Sequence, residues 1–254
     1  MTFSRVFLKI ANFVVSLVVF LALFAFGAFA VYALWDNEQV YSAVADAKAD
    51  MLRLKPTTDD ADAAPSFDEL LKINPDVCAW LTLDNTEIDY PVVRGTDNLH
   101  YVNTDVFGDY ALSGSIFLDC RNSRDFSDPY SVLYGHHMAN HLMFGDLDLY
   151  KDPSFFAENP SGRLLLPDGE YDLDIFACLL VNAGDNVIFN PTRRQTGNTD
   201  QLLQYVRDNA LNLRSETLDA LAEAESPRVL ALTTCASEFT DARTIVLAAV
   251  NAAS

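Results

Sequence analysis

The chain has 254 residues, of which 17 are Lys or Arg and 36 are Asp or Glu, for a formal charge of −19, and half of its residues are apolar. That apolar share excludes a disordered or collagen-like chain, and four cysteines in so long a sequence exclude a disulfide-framework miniprotein. The acid excess excludes nonspecific binding to nucleic-acid phosphates, and the length leaves room for one domain of ordinary size or two small ones.

Arg5 and Lys9 are the only charged residues before Asp36, and an uncharged run extends from Ile10 to Trp35. Spanning bilayer hydrocarbon takes about 20 apolar residues, whereas the apolar part of a cleaved signal has roughly 7–15. The run predicts a retained transmembrane signal anchor over 10–35. Basic residues before it, and Asp36 and Glu38 after it, predict a cytoplasmic N-terminus at 1–9 and an exported remainder. Tyr32 and Trp35 suit the outer interface. The competing reading is cleavage after Ala28-Phe29-Ala30, which would release a secreted protein.

Residues 36–65 read as a helical stalk followed by an acidic linker. Val40, Tyr41, Val44, Ala47, Met51 and Leu54 roughly follow one helical face between Asn37 and Lys55, whereas Pro56 to Pro65 lacks large apolar residues and carries clustered acid. On this reading nothing before about Pro65 belongs to the folded core. The folded domain is expected over 66–254, opening with capping-box spacing at Ser66-Phe67-Asp68-Glu69 in a short helix that Asn74-Pro75 ends.

From Val77 the pattern changes to short β-rich runs: Val77 to Leu83, Ile88 to Val93, Gly114 to Leu118, Ser131 to Tyr134, Arg163 to Leu166 and Tyr171 to Val181. Asp84-Asn85-Thr86 and Pro167-Asp168-Gly169 supply turns. Helices are expected at Thr199 to Ala210 and Ser215 to Ala224, followed by buried strands at Val229 to Thr234 and Thr244 to Val250. This spacing predicts a mainly β fold, barrel or sandwich, with helical insertions.

The chemistry rests on four histidines and four cysteines. Cys78 and Cys178 lie in apolar strand-like runs and Cys120 follows Phe117-Leu118-Asp119, so all three read as buried small hydrophobes, and no disulfide pair is selected. Cys235 ends an apolar strand just before polar Ser237-Glu238, which predicts a sulfur at a strand mouth. His136 and His137 follow Tyr134-Gly135, His141 lies close behind, and His100 stands alone upstream. His137 and His141 would share a helical face suited to a metal, but no Glu follows the first of them, as a zinc protease of this spacing requires. A nucleophilic pair of Cys235 with an imidazole needs no metal. Arg243, eight positions past the cysteine, reaches its mouth if the two flanking strands are neighbours.

These motifs, taken in order, resemble the class B sortases, membrane-anchored cysteine transpeptidases of Gram-positive bacteria. The resemblance runs from about Phe67 to Val250. It is carried by Leu71-Lys72-Ile73-Asn74-Pro75-Asp76-Val77, Ile88-Asp89-Tyr90-Pro91-Val92-Val93, Asp97-Asn98 and Gly114-Ser115-Ile116-Phe117-Leu118-Asp119, then by Tyr134-Gly135-His136-His137-Met138, Met143-Phe144-Gly145 and Leu232-Thr233-Thr234-Cys235. It implies an eight-stranded sortase-type β-barrel with an N-terminal helical segment and a helix inserted before the cysteine strand. It selects His136 over His137 as catalytic, with Cys235 as nucleophile and Arg243 as the arginine. It also implies that Asn98, Val102, Tyr134 and Thr233 line the substrate groove, and that Thr234 binds substrate or the oxyanion. Thr233 stands where many members have Ser, and Cys120 where a Tyr follows the Asp.

The implied reaction cleaves a C-terminal sorting signal after a threonine through a thioacyl-enzyme. The acyl group then passes to an amine of a cell-wall precursor or pilin, with no cofactor and no metal. The implied partners are a secreted protein bearing a sorting signal, the amine acceptor and the membrane itself. A papain-like hydrolase would set its cysteine at a helix start and upstream of the histidine, and a noncatalytic anchored β-domain would need no Cys-His-Arg set.

Overall fold

The computed structural model describes residues 3–56, 66–194 and 199–253. The chain divides into two compact units, Met1–Ala47 and Lys48–Ser254. One helix, α1 (Phe3–Leu52), runs through the first unit into the start of the second. It is unbroken at Asp36 because no proline or glycine interrupts Asp36 to Leu52, and Ala43, Ala45, Ala47 and Lys48 are good helix formers. Fifty residues at 1.5 Å each make a helix of about 75 Å, more than twice the hydrocarbon thickness of a bilayer. Among the described residues it is the one helix long and apolar enough to cross a membrane.

The second unit is a closed barrel. Its strands are β1 (Val77–Leu83), β2 (Asp89–Val93), β3 (Ile116–Leu118), β4 (Tyr130–Tyr134), β5 (Ser161–Leu166), β6 (Gly169–Asn182), β7 (Asn212–Leu213), β8 (Val229–Cys235) and β9 (Ala242–Ala252). Their order is β5-β1-β2-β3-β4-β8-β9-β6, and β6 pairs back to β5, which makes eight strands without a free edge; β7 is a two-residue addition beside β6. Two neighbours, β2–β3 and β4–β8, are parallel. Parallel neighbours require long crossovers, and those two connections carry most of the remaining structure.

Between β4 and β8 the chain forms α3 (Pro153–Glu158), α4 (Asp200–Asn209) and α5 (Ser215–Glu223). Leu202, Leu203 and Val206 of α4 and Leu218 and Leu221 of α5 pack into one cluster with Phe176, Ala231 and Leu247 of the barrel. The apolar i, i+3, i+4 spacing seen in the sequence thus covers one barrel face. The sequence reading omitted α3, although Asp152 caps it, accepting the Ser154 and Phe155 amides at 2.9 Å each, with Pro153 in its first turn.

At the other end, α2 (Asp68–Ile73) forms where expected but without the capping box. Phe67 occupies the N-cap and makes no side-chain cap bond; it is buried instead, so an apolar anchor starts this helix.

The segment before the linker also differs from expectation. Residues 57–65 of the expected linker lie outside the described residues, but Lys48 to Pro56 belong to the barrel unit. Lys48 Nζ donates to the Glu87 carbonyl at 2.6 Å and to its carboxylate at 2.8 Å, and Lys55 Nζ to Asp89 at 2.8 Å and Thr82 Oγ1 at 3.1 Å. Met51 is buried beside Tyr90, Pro91 and Met143, and Pro56 is buried too. Burial of one such side chain is worth about 1.5–3 kcal/mol. A chain begun at Ser66 is therefore expected to melt about 5 °C below one begun at Lys48. Thermal unfolding of the two truncations followed by circular dichroism checks this, and equal midpoints would show that the segment is not part of the fold.

Candidate active site

β8, bonded on one edge to β4 and on the other to β9, carries the site. Val229 to Thr234 are buried, and the strand meets solvent at its last residue, Cys235. Tyr134 of β4 lies opposite Thr233, and Arg243 of β9 lies opposite Cys235. Directly opposed residues of an antiparallel pair project to the same face with Cβ atoms about 4.5–5.5 Å apart. Cys235 and Arg243 therefore emerge side by side, as the condition on neighbouring strands required.

His136 comes from the chain just beyond β4. The Gly135 N–H donates to the Thr233 carbonyl at 3.1 Å, which carries the pairing one residue past the strand and brings the next side chain to the same end. Gly135 leaves room there: a Cβ would stand 2.5 Å from the Ile116 side chain and 2.6 Å from the Phe144 ring, which would have to shift. His136 Nε2 lies 2.8 Å from the Val102 carbonyl. A carbonyl oxygen only accepts, so Nε2 carries its proton and Nδ1 is the nitrogen left for proton exchange.

His137 and His141 are elsewhere. Residues 135–144 form no helix, and the two rings pair separately, His137 with Asp148 at 3.1 Å and His141 with Asp146 at 2.6 Å, so the shared helical face does not exist. Asp148 also accepts from Thr244 Oγ1 at 2.8 Å and pairs with Lys151 at 3.0 Å; Lys151 in turn pairs with Glu238 in the β8–β9 turn. Burial works against the Asp148 charge, but the hydrogen bonds from Lys151 and Thr244 prevail and hold its carboxyl below the ordinary range.

A cavity of about 420 Å³ opens at these strand ends, and all eight residues singled out in the sequence line it: Asn98, Val102, Tyr134, His136, Thr233, Thr234, Cys235 and Arg243. Phe117, Gly135, Ala183 and Phe189 complete the wall and were not anticipated as lining residues. Thr233 Oγ1 donates to the Leu133 carbonyl at 2.8 Å, so this hydroxyl is used within the barrel. The Thr234 hydroxyl is buried with no hydrogen-bond partner among the described residues. Arg243 Nη1 donates to the Ala242 carbonyl at 2.8 Å, and the Ala236 N–H donates to the same oxygen at 2.9 Å.

The four thiols are unpaired and unequal. Cys78 and Cys178 are buried, and burial pushes both up to about 12, whereas Cys235 is exposed.

No protein-family model matches the chain. Sortase B of Listeria monocytogenes is 29 % identical over 206 residues, covering 81 % of this chain and 81 % of its own. Sortase B of Staphylococcus aureus is 30 % identical over 188 residues, covering 73 % of this chain and 75 % of its own. The crystal structure of a Streptococcus pyogenes class B sortase involved in pilus biogenesis is similar at 38 % identity and a TM-score of 0.67, covering 73 % of this chain and 98 % of that one. The chain belongs to the class B sortases. It is a sortase-type cysteine transpeptidase, and its barrel is the sortase fold.

One feature of this sortase escaped the sequence reading. Asp119 was quoted within a motif but given no role, yet its buried carboxylate joins Asn98, Tyr134 and Arg121 behind the cavity. An Arg two positions past an Asp was the available signal. Burial opposes the Asp119 charge, but hydrogen bonds from Arg121 and Tyr134 outweigh it and lower its pKa. A depressed carboxyl contributes stability that is fully present above the unfolded value of about 3.9 and is lost as pH falls through the folded value. Asp119→Asn is thus expected to melt lower than the wild type near neutrality, with the gap closing as pH drops below about 4. Melting temperatures measured from neutral to acid pH check this; a gap independent of pH would contradict it.

Proposed function

We propose that Cys235 is the nucleophile, attacking the carbonyl that follows a threonine in the C-terminal sorting signal of a secreted protein. The single observation that supports this best is the register that sets Cys235 opposite Arg243 at the cavity that His136 also lines. Cys235 gives its thiol proton to His136 Nδ1, the thiolate forms the carbon–sulfur bond, the scissile carbon–nitrogen bond breaks, and the departing amine takes that proton from the imidazolium. In the second half an incoming amine attacks the thioacyl carbon and gives its proton to His136, and Cys235 leaves as thiolate. The Val102 carbonyl holds the imidazole through Nε2, which leaves Nδ1 for these transfers.

Arg243 is the donor to the tetrahedral oxyanion. The Ala236 N–H, the first backbone donor past the nucleophile, is committed to the Ala242 carbonyl, whereas Arg243 spends only one of its five N–H groups on that oxygen. Asn98, Val102, Tyr134, Thr233 and Thr234 form the groove for the peptide.

The acceptor is an amine of a cell-wall precursor or of a pilin, and the similarity to the sortase involved in pilus biogenesis favours the pilin. Ile10 to Trp35 anchors the enzyme, with residues 1–9 in the cytoplasm and the catalytic domain outside. Anchoring in the plane where a membrane-arrested substrate waits raises the effective concentration of each for the other.

Cys235→Ala is expected to abolish cleavage of sorting peptides and trapping of a thioacyl adduct, and His136→Ala to remove turnover. His137→Ala is expected to retain turnover, and Arg243→Ala to lose about 10²–10³ in kcat. Steady-state kinetics against a sorting-peptide library check these, and an active Cys235→Ala would refute the assignment.

Membrane-extracted protein is expected to keep residues 10–35 by intact mass. A mature N-terminus at Val31 would mean cleavage after Ala30 and no anchor.

A further inference from the structure

Asp119 follows the last residue of β3, and its carboxylate is 0 % exposed in a chain of charge −19. Its Oδ2 accepts from the Tyr134 hydroxyl at 2.9 Å, Asn98 Nδ2 at 3.0 Å and Arg121 Nη2 at 2.7 Å. Its Oδ1 accepts from Arg121 Nε at 2.8 Å and from the Arg121 N–H at 3.0 Å. The other end of Asn98 is held as well, its Oδ1 accepting the Cys120 N–H at 2.7 Å. Arg121 Nη2 also donates to the Phe189 carbonyl at 2.9 Å, and the Phe189 ring stacks on Tyr134 with centroids 6.4 Å apart and planes 17° apart. Asn98, Tyr134 and Phe189 line the cavity; Asp119 and Arg121 do not.

Three segments far apart in sequence therefore meet at one ion pair, whose carboxylate is buried and whose guanidinium reaches solvent. The polar ends of Asn98 and Tyr134 point at it, so these residues are fixed in place before any peptide arrives. The segment around Phe189, between β6 and α4, is tied to the same point through one guanidinium. A bidentate Arg–carboxylate pair holds both distance and angle, which a single-point cation does not.

We infer that Asp119 and Arg121 are positioning residues for the peptide groove, setting the Asn98–Tyr134 wall and latching the Phe189 segment to it. The pair controls how tightly the peptide is held and leaves the chemical step at Cys235 alone. This rests on the transpeptidase reading above.

The test uses the full-length chain in detergent micelles, with the library peptide that the wild type cleaves fastest as probe. Arg121→Ala is expected to raise KM about tenfold, equivalent to weakening one charge-assisted hydrogen bond, with kcat within about twofold. Arg121→Lys is expected to fall between it and the wild type, and Asp119→Asn to follow Arg121→Ala. Alkylation of Cys235 by iodoacetamide is expected to stay within about twofold of wild type in all three, since the thiol is outside the latch.

Amide exchange over residues 183–190 is read without peptide, and is expected to be about tenfold faster in Arg121→Ala. An unchanged KM, or a fall in kcat at constant KM, overturns the inference. If the wild type cleaves no library member, the substrate reading fails by itself, and exchange decides the latch: faster exchange upholds it and unchanged exchange overturns it.

Discussion

The cavity end of this molecule depends on the two-sided pairing of β8. A strand slipped by one residue turns every side chain to the other face. Here a slip against β9 would take Cys235 away from Arg243 and put it on the face of Thr234, which pairs with Thr244. The slip is resisted because Val229 to Leu232 are buried and both edges are bonded, β4 on one side and β9 on the other. Closure of the barrel through β5 and β6 removes the remaining freedom, since no edge is left along which a strand could shift.

The strand ends divide the residues into those at the cavity and those behind it. His136 and Arg243 line the cavity, and their neighbours His137 and Thr244 bond to Asp148. A similar division holds on the other flank, where Asn98 and Tyr134 line the cavity while their polar ends reach back to Asp119. Each flank is thus pinned from behind by a carboxylate that is itself neutralised, Asp148 by Lys151 and Asp119 by Arg121. An unpaired buried charge costs several kcal/mol. The enclosed Asp119 carboxylate therefore depends on its cation, whereas Asp148 is partly open to solvent and depends on Lys151 less.

The strands were legible because β-branched and apolar runs between turn residues have few other uses, and each expected strand appears within two residues of its place. Closure was not legible from spacing, since it depends on the β5–β6 pairing meeting β1 around the ring. α1 runs on through Asp36 because a single charged residue carries no signal to end a helix. At Ser66 the capping spacing was present, and burial of Phe67 overrode it. The lining residues were found by the order of the motifs. The Asp119 network was missed because its partners lie 21, 15 and, through Arg121, 68 positions away, where no local pattern connects them.

Thiol selection follows from the same architecture. The four unpaired cysteines differ in how far each is open to solvent. Two are silenced by position, because Cys78 in β1 and Cys178 in β6 are enclosed in strands and ionise only near 12. At Cys120 both backbone polar groups are engaged, its N–H by Asn98 and its carbonyl by Arg94, so its segment is held in place behind the cavity. Cys235 differs in standing where a buried strand ends, with a guanidinium on the opposing residue and an imidazole at the rim of the same cavity. The site therefore needs no exceptional residue: it needs one strand to end one residue past its last buried position, and the barrel pairing determines which residue that is.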